Sequence, residues 1–162
     1  MEDKQVIEKC MVLAKQGLTQ GQAPFSSIIT KDGQIIAEST NGSKDRTSDH
    51  AEILVLDKAH QFLKSADLSE CTLYTICEPC PMCSFMIREY RIKKVVIALS
   101  SPFMGGYSKW PILQDDEITQ FKDYFAPPPE VVTGILEAEA KEVFDQTPLW
   151  MFGSGVKKEQ SK

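Results

Sequence analysis

The stretch His50-Ala51-Glu52, followed downstream by Pro79-Cys80-Pro81-Met82-Cys83, constrains this chain more than any other feature. One imidazole and two thiolates make a three-ligand set for zinc, so the fold must carry residue 50 to the neighbourhood of residues 80–83. Three protein ligands leave the fourth tetrahedral position to water, the arrangement of a catalytic rather than a structural zinc site. Glu52, two residues from the imidazole, is better suited to carrying protons beside that water than to filling the fourth position. One zinc ion per chain is expected.

The pattern of apolar residues places these groups on secondary structure. Residues 2–19 carry Val6, Ile7, Cys10, Met11, Ala14 and Leu18 on one helical stripe, and Gly21 and Pro24 follow it. Phe25–Thr30 and Gln34–Ser39 are expected as strands joined by Lys31-Asp32-Gly33, an Asp-Gly hairpin turn. A polar loop, Asn41–Asp49, leads to a helix over 50–64, whose unbroken run Ile53-Leu54-Val55-Leu56 suggests burial on most sides. Cys71–Cys77 is β-rich and ends at Glu78-Pro79. Pro81 fits the first turn of a helix running to about Tyr90, because a proline lacks only an N–H that would have no partner there. Lys94–Leu99 is a further strand, 100–129 is irregular, Val131–Gly134 is a fifth strand and Ile135–Phe144 a last helix. The order implies an α/β fold, a three-layer α/β/α sandwich around a mixed sheet of about five strands. Residues 1–152 read as one domain and 153–162 as a polar C-terminal tail.

On this arrangement His50 opens one helix, and Cys80 and Cys83 open another, at i and i+3 on one face. The partial positive charge of a helix N-terminus lowers thiol pKa values and favours the thiolate as ligand. The five cysteines are odd in number, and Cys77, Cys80 and Cys83 crowd together, which favours a metal site in a reducing compartment over a disulfide framework. A cytoplasmic location follows as an expectation, with no signal peptide or membrane span in view. The net charge of −5 lowers the prospect of a polynucleotide partner. The grouped cations are Arg88, Arg91, Lys93 and Lys94, and the pair Lys157-Lys158.

The His-x-Glu…Pro-Cys-x-x-Cys pattern resembles the cytidine deaminase-like zinc superfamily, and within it the branch of guanine deaminases and tRNA adenosine deaminases. Ala23-Pro24-Phe25, Lys31-Asp32-Gly33, Asn41, Leu73-Tyr74 and Glu78-Pro79-Cys80-Pro81-Met82-Cys83 carry the likeness, which runs from the first helix to about Phe144. The resemblance implies hydrolytic release of ammonia from a nucleobase or nucleoside, a purine such as guanine first. The close alternative is conversion of adenosine to inosine in tRNA, and a further one is a non-catalytic zinc-bearing scaffold. By the same resemblance Asn41 contacts the base edge, the Ala51 N–H and the backbone around Glu78 frame the pocket, and the chain forms a homodimer. Three features depart from that branch: a short 41–50 loop, Ser26-Ser27 in place of a Gly-Ala pair, and the segment Ser101–Leu113.

Other residues compete for roles. Cys77 as a fourth ligand would close the site, and Cys77, Cys80 and Cys83 would suit an iron–sulfur cluster only with a fourth cysteine nearby; Cys77 is better read as a small buried residue. His60 reads as a packing or surface residue. Phe25 and Trp110 are candidates to stack on a flat base, ahead of Phe103 and Tyr107. Gly105-Gly106 suits a hinge or a turn, and Asp115-Asp116-Glu117 an acidic loop more than a second proton carrier.

Overall fold

The computed structural model describes residues 1–149, so the expected tail at 153–162, with Lys157-Lys158, lies outside the described residues. Helix α1 (Asp3–Thr19) precedes strands β1 (Ser26–Lys31) and β2 (Gln34–Thr40). Helix α2 (Ala51–Leu63), strand β3 (Cys71–Cys77), helix α3 (Pro81–Glu89) and strand β4 (Lys94–Leu99) follow. Two short 3-10 turns, Ile112–Gln114 and Glu117–Gln120, interrupt the irregular stretch before β5 (Glu130–Thr133) and α4 (Glu137–Asp145). The expected element order holds, and the strands form one mixed sheet in the order β2-β1-β3-β4-β5. β1 is antiparallel to β2 and β3, whereas β3, β4 and β5 run parallel.

The sheet is covered on both faces because its central strands are buried, and mostly apolar, along nearly their whole length. Tyr74, Ile76, Val96 and Ala98 meet Ile7, Cys10 and Ala14 of α1 and Val143 and Phe144 of α4. The alternate residues Leu73, Val95 and Ile97 meet Val55, Leu56 and Ala59 of α2 and Ile87 of α3. This is the three-layer α/β/α sandwich that the sequence implies. The hairpin between β1 and β2 turns on Asp32 and Gly33, both at positive φ (51° and 74°), as an Asp-Gly turn requires.

Two expectations need correction. Helix α2 is not buried on most sides: Phe62 is 65% exposed, because one face packs on the sheet and the opposite face meets water. The last helix starts at Glu137 rather than Ile135, since Gly134 and Leu136 adopt positive φ and turn the chain before it. Ser26 and Ser27, where the resembling branch carries smaller residues, are wholly buried; their hydroxyls donate to the carbonyls of Cys10 (2.5 Å) and Tyr74 (2.7 Å). Among the described residues no helix is long and apolar enough to cross a membrane.

The irregular 100–129 stretch is tied down from inside. Arg88 of α3, 1% exposed, donates to the carbonyls of Ile112 (2.8 Å), Asp115 (2.8 Å) and Ala126 (3.0 Å) and to Thr119 Oγ1 (3.3 Å). The guanidinium fork reaches four acceptors on one stretch of chain, which a single ammonium cannot do. Arg88→Ala should therefore lower unfolding free energy by about 2–3 kcal/mol and open the 112–126 stretch to protease, and Arg88→Lys should not restore it. Urea unfolding with limited proteolysis checks this; an unchanged midpoint and cleavage pattern would contradict it.

Candidate active site

Three chain segments meet above the carboxyl ends of β3 and β4. The 41–49 loop closes on itself where the Gly42 N–H donates to the Asp49 carbonyl (2.8 Å), which returns His50 to the vicinity of Asn41. His50 is the N-cap of α2 and Ala51 its first residue, buried, where a helix N–H has no acceptor within the helix. β3 runs out at Cys77, and Cys80 is the N-cap of α3, with Pro81 in its first turn. Two helix N-termini thus point their partial positive ends at one spot.

At that spot His50 Nδ1 lies 3.5 Å from Cys80 Sγ and 3.5 Å from Cys83 Sγ, and the two sulfurs are 3.7 Å apart. A tetrahedral zinc with bonds of about 2.3 Å to sulfur and about 2.0 Å to nitrogen needs S···S separations near ~3.8 Å and N···S separations near ~3.5 Å. The donor set fits the ion in both kind and spacing. His50, Cys80 and Cys83 are the group among the described residues that could hold a metal, and Cys77 does not join it. Cys77 is wholly buried at the strand end, outside that group, and desolvation pushes its thiol up.

The protonation of the donors follows from their neighbours. The Cys83 thiol and then the His50 ring stabilise a thiolate at Cys80, whose pKa is lowered to about 4. The same contact pushes Cys83 upward, and the hydrogen bond to Cys80 raises His50. A thiolate at Cys80 beside a thiol at Cys83 describes a donor set from which a dication would displace protons on binding.

Glu52 is 4% exposed, and its Oε2 lies 3.6 Å from Cys83 Sγ. Burial raises its pKa, opposed by the hydroxyl of Thr75, which donates to Oε1 at 2.8 Å. Thr75 occupies a β3 position on the face that α2 covers, between Leu73 and Cys77, and the pleat aims its hydroxyl at the first turn of α2. Sequence reasoning passed over Thr75; its signal was a polar residue at an otherwise apolar alternation.

A cavity of about 100 Å³ opens on these groups, lined by Phe25, Asn41, Ser43, His50, Glu52, Glu78, Cys80 and Met104. Asn41 and Phe25 flank it because β1 and β2 pair with Ser26 opposite Thr40, setting the residues just outside the pair side by side. Asn41 is 4% exposed and its amide N–H donates to Ser43 Oγ (2.8 Å). Phe25 packs edge-on against Phe144 (5.2 Å between centroids). Trp110 is not brought to the cavity: it sits 43% exposed on the outer side of the 101–113 segment, near Lys109 Nζ. Tyr107 packs on the α2/α3 core and Phe103 is 44% exposed; Met104 is the member of this segment in the lining. His60 is remote, against Tyr90 (3.2 Å from Nδ1 to the hydroxyl). Asp115 caps the backbone N–H groups of Glu117 (2.6 Å) and Ile118 (3.3 Å).

With this geometry in hand, comparison with known proteins identifies the class. Residues 1–99 match the cytidine and deoxycytidylate deaminase zinc-binding region, and the chain belongs to that family. It is similar to the guanine deaminase of Bacillus subtilis, 41% identical over 102 residues, 60% of this chain and 65% of that protein, just under two thirds of its length. It is also similar to the tRNA-specific adenosine deaminase of the same organism, 33% identical over 142 residues, 85% of this chain and 83% of that protein. Among solved structures, one from studies of A-to-I editing by tRNA:A34 deaminases superposes with a TM-score of 0.76 at 26% identity, covering 85% of this chain and 96% of that one.

Proposed function

We propose that this chain is a zinc-dependent hydrolytic deaminase of a free purine base or its nucleoside, with guanine the first candidate. His50, Cys80 and Cys83 would hold the ion, which when bound supplies Lewis acidity enough to ionise water near neutral pH. Glu52 takes one proton from the attacking water and delivers it to a ring nitrogen, then carries the second, from the hydroxyl now on the ring carbon, to the departing amine, which leaves as ammonia. Burial that raises the Glu52 pKa supports this exchange, since a carboxylate of ordinary acidity would hold the proton too weakly. Thr75 holds the carboxylate in line. Asn41 orients the ring by hydrogen bonds, and Phe25 and the Ala51 N–H bound the pocket.

The observation that carries the free-base choice is the fate of the grouped cations. Arg88 is turned inward onto backbone carbonyls, and Arg91 donates to the carbonyls of Lys122 (3.0 Å) and Asp123 (3.2 Å). Lys94 pairs with Asp3 (2.8 Å) at the far end of the strand. Three of these four side chains serve the fold, so they offer no phosphate track to the cavity, which supports a small uncharged substrate. The longer match to a tRNA-specific adenosine deaminase favours a second reading, adenosine deamination in tRNA. The exposed apolar side chains of α3, Met82 and Phe85, support a homodimer, and five free cysteines support a reducing, cytoplasmic setting.

Two measurements test this proposal. Ammonia release from guanine, guanosine, adenosine and a tRNA anticodon stem-loop should be fastest with guanine and insensitive to salt. Turnover confined to the stem-loop, falling steeply with ionic strength, would establish the second reading instead. Glu52→Ala should lose at least about 10²-fold in kcat while zinc remains near one per chain, whereas Cys83→Ala should lose zinc and activity together. Full turnover in Glu52→Ala would remove that side chain from the chemistry.

A further inference from the structure

The segment 101–113 departs from the resembling branch in sequence, yet it is held more tightly than its composition suggests. Its anchor is the Glu78 side chain, 4% exposed at the end of β3. That carboxylate accepts hydrogen bonds from the backbone N–H groups of Ser101 (3.3 Å), Tyr107 (3.2 Å) and Ser108 (3.0 Å), and from Ser108 Oγ (2.8 Å to Oε1). The Gly106 N–H donates to the Pro79 carbonyl (2.7 Å) alongside it. The approach is so close that side chains are excluded: a Cβ on Gly105 would land on the Glu78 carboxylate, and one on Gly106 on Ser84. Gly105-Gly106 is therefore a close-packing device rather than a hinge. Immediately before it comes Met104, which lines the cavity across from Asn41 and Phe25 and remains 40% exposed at the rim.

We propose that Glu78 is a positioning residue that fixes Met104 as the outer wall of the cavity, and that Met104 thereby sets the size of substrate admitted, favouring a free purine base over the same base carrying ribose. This rests on the free-base reading above and names its determinant. The chemistry suits the task. A thioether side chain packs on a flat ring without imposing hydrogen-bond demands, so it discriminates by volume. A carboxylate gathers several N–H and O–H donors at once, whereas an amide at the same position offers one oxygen and presents its own N–H groups to donors.

The test uses the zinc-loaded protein with guanine and guanosine, with zinc content and unfolding midpoint measured for every variant. Met104→Ala should shift the kcat/KM ratio toward guanosine by about tenfold or more, mostly by lowering KM for guanosine. Glu78→Gln should shift it the same way, and Glu78→Asp should recover part of the preference. If Glu78 acts through Met104, adding Glu78→Gln to Met104→Ala should produce no further change in the ratio. Equal losses of kcat on both substrates, or ratios that add in the double variant, would overturn the proposal while leaving the deaminase reading intact. Wild-type protein that neither binds nor turns over free guanine would overturn both. Should Glu78→Gln fail to fold, Met104→Ala and Met104→Leu alone decide the volume argument: an unchanged ratio in both sinks it.

Discussion

Everything about this molecule turns on the convergence of two helix N-termini. α2 and α3 each begin where a strand or loop is brought up beside the sheet's carboxyl edge, and each contributes its donors within the cap and first turn. The backbone N–H groups there favour negative charge, which is what two thiolates bring. Within this small volume the three donors sit at mutual distances of 3.5–3.7 Å, matching the edges of a zinc tetrahedron. The sheet supplies rigidity: β3 is buried along most of its length and delivers both Thr75 and the Glu78-Pro79-Cys80 run to the same end. Precision of this order comes from a regular strand and two helices rather than from loops.

Two buried charged side chains then organise what regular structure does not. Glu78 gathers the donors of the 101–108 segment, and Arg88 gathers the acceptors of the 112–126 stretch. Each is a multi-toothed group facing several backbone partners, so a long connection with only two 3-10 turns is fixed in place and holds Met104 at the site. The polarity is complementary: an anion collects N–H groups and a cation collects carbonyls, leaving few buried groups unpaired.

Much of this was legible in the sequence, for identifiable reasons. Strict apolar periodicity gave α1 and the central strands, and Asp32-Gly33 gave its turn, because these signals are local. His50, Glu52, Cys80 and Cys83 were legible because metal chemistry restricts both residue type and spacing. Thr75 and Glu78 were not credited with their contacts, since each acts across long sequence separations on partners that only the folded sheet brings near. Trp110 was placed near the pocket from its position in a loop-like stretch, but the Glu78 clamp turns Met104 inward and leaves the indole outside. Aromatic character alone carries no direction. Helix α2 looked more buried than it is because a run of four apolar residues does not reveal how many faces are covered.

The family to which the chain belongs accounts for the zinc-binding frame, and the proposed choice between a free base and tRNA would rest with residues beyond the matched 1–99, the 101–113 segment first. Both choices presuppose one open coordination position. X-ray absorption at the zinc edge of the loaded protein tests that most directly. Two sulfur neighbours at about 2.3 Å with two lighter nitrogen or oxygen neighbours at about 2.0 Å, one of them exchangeable with solvent, would agree with it. A third sulfur, or a shell of four protein ligands with none exchangeable, would contradict it.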